Sequence, residues 1–334
     1  MKTFIVAGLV FGMLVLFHEF GHFSVAKLVG IKVHEFAIGM GPKILSYKGA
    51  ETRYSVRIFP IGGYVKMEGE DEQSSDVRSF NNKPLLARLS VILAGPLMNF
   101  VLAVILFSII FYSVGFPTTT IGETTKDLPA YKSGLQTGDK ILAIDDKKVG
   151  TWDEIVKNIK ESNKDNIKIS YERNDKKEHV YITPVINKED NRRIIGITPR
   201  FEKSIVKSIK YSFDRIIFII DEMFKFFGRL FAGKASSSDV VGPVGIIHIV
   251  GEAAKTNIYN VLSLAALISI NLGMVNLLPI PALDGGRIIF LLFEGISGKP
   301  IDPEKEGMIH FTGFILLMGL MLFMVYKDLL RFVL

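Results

Sequence analysis

The sequence predicts a polytopic α-helical membrane protein of about four transmembrane helices, with membrane-associated β-hairpins and one inserted α/β domain. Three observations predict it. Of 334 residues, 49% are hydrophobic. Leu89 to Phe116, Ile258 to Leu283 and Met308 to Tyr326 are nearly free of charge and long enough to span a bilayer, and the uncharged run from Thr3 to Phe17 adds a fourth. Between the second and third runs the sequence loses its apolar stretches and turns into strand-and-turn composition.

The composition also excludes. There is no cysteine, so disulfides are ruled out and a tightly held metal must take His and carboxylate ligands. The net charge of +6 is spread along the chain, and nothing in it resembles a nucleic-acid patch. Four segments follow: a membrane N-terminal half over 1–116, the α/β domain over 117–203, an amphipathic linker over 204–257 and a membrane C-terminal half over 258–334.

The first span could pass for a signal peptide, with Lys2, an apolar run and Ser24-Val25-Ala26 as a cleavage site. Retention is expected, because cleavage would discard His18-Glu19-Phe20-Gly21-His22. Ionisable groups at membrane depth are costly and mark function by default. The pattern is HExxH. On a helix, positions four apart share a face and lie about 6 Å apart along the axis, so both imidazoles can grip one ion. Glu19 stands beside them, where it can take a proton from water activated by that ion.

Residues 25 to 90 form the first long polar connection. Ile31 and Val33, then Tyr54, Val56 and Ile58, alternate as strands do, with Gly39, Gly41-Pro42 and Gly62-Gly63 as punctuation. These predict β-hairpins lying against the membrane, followed by a charged, solvated loop over 68–83. The second span carries Gly95-Pro96 and Asn99, which fit a kinked packing seam and a role in shaping a site equally well.

Within 117–200, turns at Gly134 and Gly138-Asp139, a strand over 140–144, a turn at Asp145-Asp146 and the helix-like TWDEIVKNIKES follow one another. That order resembles a PDZ domain, and the later RRIIGITPR fits the loop with which such domains receive an extended segment. From 204 to 232, Phe213, Ile216, Ile220, Phe224 and Phe227 recur at helical spacing between charges, which predicts an interfacial amphipathic helix.

A zinc site needs a third protein ligand and an open position. His34, Glu35, His248, Glu294, His310 and Asp284 are the candidates. Asp284 stands out through its neighbourhood, NLLPIPALDGG. Pro279 and Pro281 remove two backbone donors and push Leu278 and Ile280 toward extended geometry, so the third span comes apart near the membrane. Such backbone is tolerated only where it lines protein or a wet cavity. Alone, Asp284 could equally cap the helix that follows; beside HExxH the ligand reading is the stronger.

HExxH in the first span, a PDZ-like insert and N-x-x-P-x-P-x-L-D-G in the third resemble the site-2 protease family of intramembrane zinc metalloproteases, in its bacterial RseP-like branch. GMGPKI, GGYVKM, the stretch from Phe80 through Arg88 and Ala94-Gly95-Pro96 to Asn99, and Val241-Gly242-Pro243-Val244-Gly245 agree with it. The resemblance implies Zn2+ held by His18, His22 and Asp284, with Glu19 as the catalytic base. It also implies that Asn276, Pro279 and Pro281 contact an unwound substrate. The expected activity is hydrolysis inside the transmembrane segment of single-span membrane proteins, such as anti-sigma factors or remnant signal peptides. A monomer in the cell membrane is expected, surrounded by lipid and without nucleic acid. Its PDZ-like domain is expected on the extracytoplasmic side, as a size filter or a docking site, and its catalytic end toward the cytoplasm. One PDZ-like unit is legible here, where the best-known member of the branch carries two.

Overall fold

The structure, a computed structural model, describes residues 2–70, 74–187, 192–234, 241–299 and 301–332. Residues 71–73 of the charged loop lie outside them. The chain forms two compact units, one of Met1–Leu106 with Glu222–Leu334 and the other of Phe107–Asp221.

The first unit opens with α1 (Lys2–Leu28), which carries HExxH inside an unbroken helix. The expected hairpins follow as β1 (Val33–Lys48) and β2 (Arg53–Met67). Both strands bend and pair twice. Residues 33–38 face 67–63, residues 43–48 face 57–53, and 35–38 also lie beside 53–56. Residues 63–67 therefore form one edge of a small sheet. Ala26, Val33, Phe36, Val65, Met67, Val91 and Leu291 share one buried cluster, which ties the sheet to the helices on either side. The helix α2 (Leu85–Val114) runs through Pro96 without ending.

The second unit is built around a six-stranded sheet. Its elements are β3 (Phe116–Thr124), α3 (Pro129–Lys132), β4 (Lys140–Ile144), β5 (Lys147–Lys148), α4 (Trp152–Glu161), β6 (Ile167–Arg173) and β7 (Lys176–Ile182). A small pair, β8 (Val185–Ile186) with β9 (Arg193–Ile194), precedes β10 (Ile197–Glu202). The strand order is β10-β3-β4-β6-β7, with β5 paired to β4, so β10 from the RRIIGITPR stretch lies at an edge. The predicted turns are present: Gly134 and Gly138 adopt positive φ, and Asp145-Asp146 close the β4–β5 hairpin in the left-handed region. Thr151 and Glu154 form a reciprocal capping box that starts α4. Ile121, Ile141, Ile144, Ile155, Ile167 and Ile169 are completely buried in its core.

The amphipathic stretch forms α5 (Ile205–Phe231). Its expected apolar face is split. Ile216 is buried with Tyr211, which packs on Phe111 and Phe116, whereas Phe213 and Phe224 are exposed. The reason is local: Arg215 and Tyr211 reach Asp153 and Lys157 pairs with Asp221, so α4 draws one side of the helix into the domain.

The chain returns to the first unit through α6 (Pro243–Thr256), α7 (Ile258–Asn276), α8 (Asp284–Ser297) and α9 (Pro303–Phe332). The buried Asp328 of α9 accepts from the amides of Gly242 and Gly245 at 3.1 and 2.8 Å, satisfying the start of α6. Among the described residues, four helices are long and apolar enough to cross a bilayer: Thr3–Leu28, Leu85–Val114, Ile258–Asn276 and Glu304–Arg331. The third stops at Asn276 rather than continuing to Leu283, three residues short of Pro279. Two prolines so close leave too few donors for another turn.

Candidate metal centre

The centre forms where α1 crosses α2. Small residues permit the crossing: a β-carbon on Gly21 would fall 2.2 Å from the carbonyl oxygen of Ala94, and one on Gly95 would fall 2.2 Å from His22 Nε2. The imidazoles of His18 and His22 stand one turn apart with their Nε2 atoms 3.3 Å from each other. Asp284, in the first turn of α8, places Oδ2 3.3 Å from His18 Nε2 and 3.5 Å from His22 Nε2. Among the described residues these three are the group of His, Asp and Glu side chains close enough to share one ion.

The other face of each ring is anchored. His22 Nδ1 donates to the carbonyl of Val91 at 2.8 Å, which leaves its Nε2 as a lone pair in the neutral form. His18 Nδ1 lies 3.1 Å from the side-chain amide of Asn99, a fully buried residue. The nitrogen of that amide faces His18 while Oδ1 has no partner. Turning the amide over lets Oδ1 accept from Nδ1–H and leaves His18 Nε2 as a lone pair, so the flipped orientation is the one consistent with a ligating Nε2. Asn99 is fixed in turn by its backbone carbonyl, which accepts from Ser269 Oγ at 2.8 Å.

Two imidazole lone pairs and a carboxylate oxygen then point at one another. Asp284 Oδ2 is buried and lacks a hydrogen-bond donor in good geometry. Three acceptors converging without a proton between them repel, and a divalent cation relieves the repulsion. The donor set of two nitrogens and one oxygen suits zinc with a position left open. The capping alternative for Asp284 fails on geometry, since Leu283 is the N-cap and no side chain caps α8.

The remaining candidates are occupied elsewhere. His34 Nε2 meets Glu68 at 2.7 Å, and Glu294 chelates Arg88 at 2.5 and 2.9 Å. Burial pushes the Glu35 carboxyl up, but hydrogen bonds from Ser55, Arg57 and Lys43 outweigh it and hold it at about 2. His248 is exposed on α6, and His310 accepts a backbone hydrogen bond from Ala282. Glu19 is half-buried beside the sheet edge, where a β-carbon on Gly63 would fall 3.0 Å from its Cγ. Asn276 ends α7, half-buried, and among the described residues its amide makes no side-chain hydrogen bond. Pro279 is exposed and Pro281 half-buried in the loop to α8. Asn99 and the Val91 carbonyl are the partners that sequence reasoning did not assign. The lone Asn in an apolar span was the available signal for the first; a backbone carbonyl carries no signal.

Residues 6–320 match peptidase family M50. The chain belongs to that family. It is 35% identical to the zinc metalloprotease RasP of Geobacillus kaustophilus, over 97% of this chain and 96% of that one. It is 32% identical to the regulator of sigma-W protease RasP of Bacillus subtilis, over 99% of each. As an M50 member the chain is a zinc metalloendopeptidase, and its four apolar helices accord with a membrane protein. A PDZ domain of an SdrC-like protein from Listeria monocytogenes is 28% identical over 25% of this chain and 86% of that one, with a TM-score of 0.22. The PDZ-like reading here rests on strand order and turns.

Proposed function

We propose that this M50 peptidase hydrolyses peptide bonds within the transmembrane segment of single-span membrane proteins, with His18, His22 and Asp284 holding the zinc and Glu19 as general base. One observation carries the reading: the two Nε2 atoms and Asp284 Oδ2 converge within a helical crossing, with both Nδ1 atoms already committed. Zinc held there supplies Lewis acidity, which polarises a carbonyl and makes water more acidic.

The protein's own residues do the rest. Glu19 follows the first ligand directly in the chain, so its carboxylate can accept a proton from the attacking water and return it to the leaving amine. A transmembrane helix hides its carbonyls in its own hydrogen bonds and must be locally unwound before attack. The 63–67 edge lies beside Glu19 with glycine at the nearest point, so an unwound segment can add there as a strand. Asn276, Pro279 and Pro281 border the break between α7 and α8, where the free amide of Asn276 can satisfy backbone groups that unwinding exposes.

Regulatory proteins such as anti-sigma factors and remnant signal peptides are the proposed substrates; the sigma-W regulator among the relatives favours the former. The PDZ-like domain lies outside the cell in this reading and excludes bulky outer domains. Glu19→Gln tests the chemistry. Purified mutant protein should retain zinc by elemental analysis and lose cleavage of a tagged single-span substrate. Residual turnover within about tenfold of wild type would remove Glu19 from the role of base.

A further inference from the structure

The loop carrying Asp284 is held from α9 at two points. Gly313 packs directly on Pro281, since a β-carbon there would fall 2.5 Å from both the Cβ and the carbonyl oxygen of that proline. One turn earlier, His310 Nδ1 accepts a hydrogen bond from the backbone N–H of Ala282 at 2.8 Å. Ala282 has φ of 73°. The other described non-glycine residues with positive φ are all Asp or Asn in the PDZ-like unit. Those types reach the left-handed region with help from their own polar side chains, whereas alanine has none and meets the full steric cost. An outside partner must hold it.

His310 fits that task and not ligation. A backbone N–H can only donate, so Nδ1 supplies a lone pair and the proton of the neutral ring sits on Nε2. Nε2 is buried without a hydrogen-bond partner among the described residues, 3.7 Å from Glu306 Oε1. The ring stands edge-on to Phe290 of α8, with centroids 5.3 Å apart. It is wedged between the helix that Asp284 begins and the loop that delivers it.

We propose that His310 is a positioning residue for the metal centre. By accepting from Ala282 N–H it holds that residue left-handed, and two residues later this fixes where Asp284 Oδ2 falls against His18 and His22. The inference rests on Asp284 being a zinc ligand, and the test separates the two claims.

Full-length His310→Leu, His310→Asn and His310→Leu/Ala282→Gly are purified beside wild type and titrated with Co2+, whose visible spectrum reports ligand geometry. Chelator competition gives the affinity. Leucine fills the space without an acceptor and should weaken Co2+ binding by about 10- to 100-fold with an altered spectrum. Asparagine places Oδ1 at the same bond distance from the backbone as Nδ1 and should stay within about threefold of wild type. Glycine at 282 enters the left-handed region freely and should recover most of the loss in the double variant. Wild-type binding by His310→Leu, or Asn as poor as Leu, overturns the positioning role while leaving the ligand set standing. Absence of a Co2+ spectrum in wild type overturns both. If the leucine variant does not fold, the asparagine variant still decides, because loss of binding there removes the acceptor argument.

Discussion

Gly95→Ala tests the geometry of the centre most directly. The added methyl would lie 2.2 Å from Nε2 of His22, 2.5 Å from Cε1 and 2.8 Å from Cδ2. Ordinary contact begins at 3.4 Å, so ring and helix must separate by at least about 1.2 Å along the shortest of these vectors. The ring cannot swing away freely, because its Nδ1 is bonded to the Val91 carbonyl on the same helix. Moving α2 away from α1 would instead open the close packing of Ala94 on Gly21. A displacement of about 1 Å at a catalytic centre costs on the order of 100-fold in rate, equivalent to about 2.7 kcal/mol. Alanine is a better helix former than glycine, so α2 itself should be unharmed. The assay is cleavage of a tagged single-span substrate by purified enzyme in detergent, with zinc counted by elemental analysis. Gly319→Ala, where a β-carbon meets nothing within 4 Å, is the control and should match wild type. Zinc content and turnover of Gly95→Ala within about threefold of wild type would refute the packing of His22 against α2.

Two further outcomes are expected. Replacing Asp284 by Asn removes the anionic donor and should lower zinc retention on dialysis together with activity; a mutant that holds zinc as tightly as wild type would exclude the carboxylate as ligand. The 30 residues of α2 measure about 45 Å, enough to carry the chain across a bilayer, so residues before and after it should face opposite compartments. The chain lacks cysteine, so single cysteines at Ser75 and Lys176 can be probed in intact cells with an impermeant thiol reagent. Labelling is expected at Lys176 alone, and labelling at Ser75 alone would reverse the orientation.

Elements whose cause is local could be read directly from the residues. Runs of uncharged residues marked the four long helices, and two prolines in NLLPIPALDGG marked the break after Asn276. Gly134, Gly138 and Asp145-Asp146 marked the turns of the PDZ-like unit, because each needs a backbone conformation few residues adopt. HExxH named two of the three converging side chains, since four residues of helix fix their spacing without help from the rest of the chain. Asp284 already stood out among six candidates through its proline-broken neighbourhood beside HExxH. What packing supplied was the meeting itself, with α8 brought against α1 across more than 260 residues while Arg88, Ser55 and Glu68 engaged three of its rivals. The same holds for the double pairing of β1 and β2, for α5 drawn onto α4, and for Asn99, Val91 and His310. These contacts join atoms far apart in sequence. Hydrogen bonds of this kind depend on where whole helices cross, which only the packed structure decides.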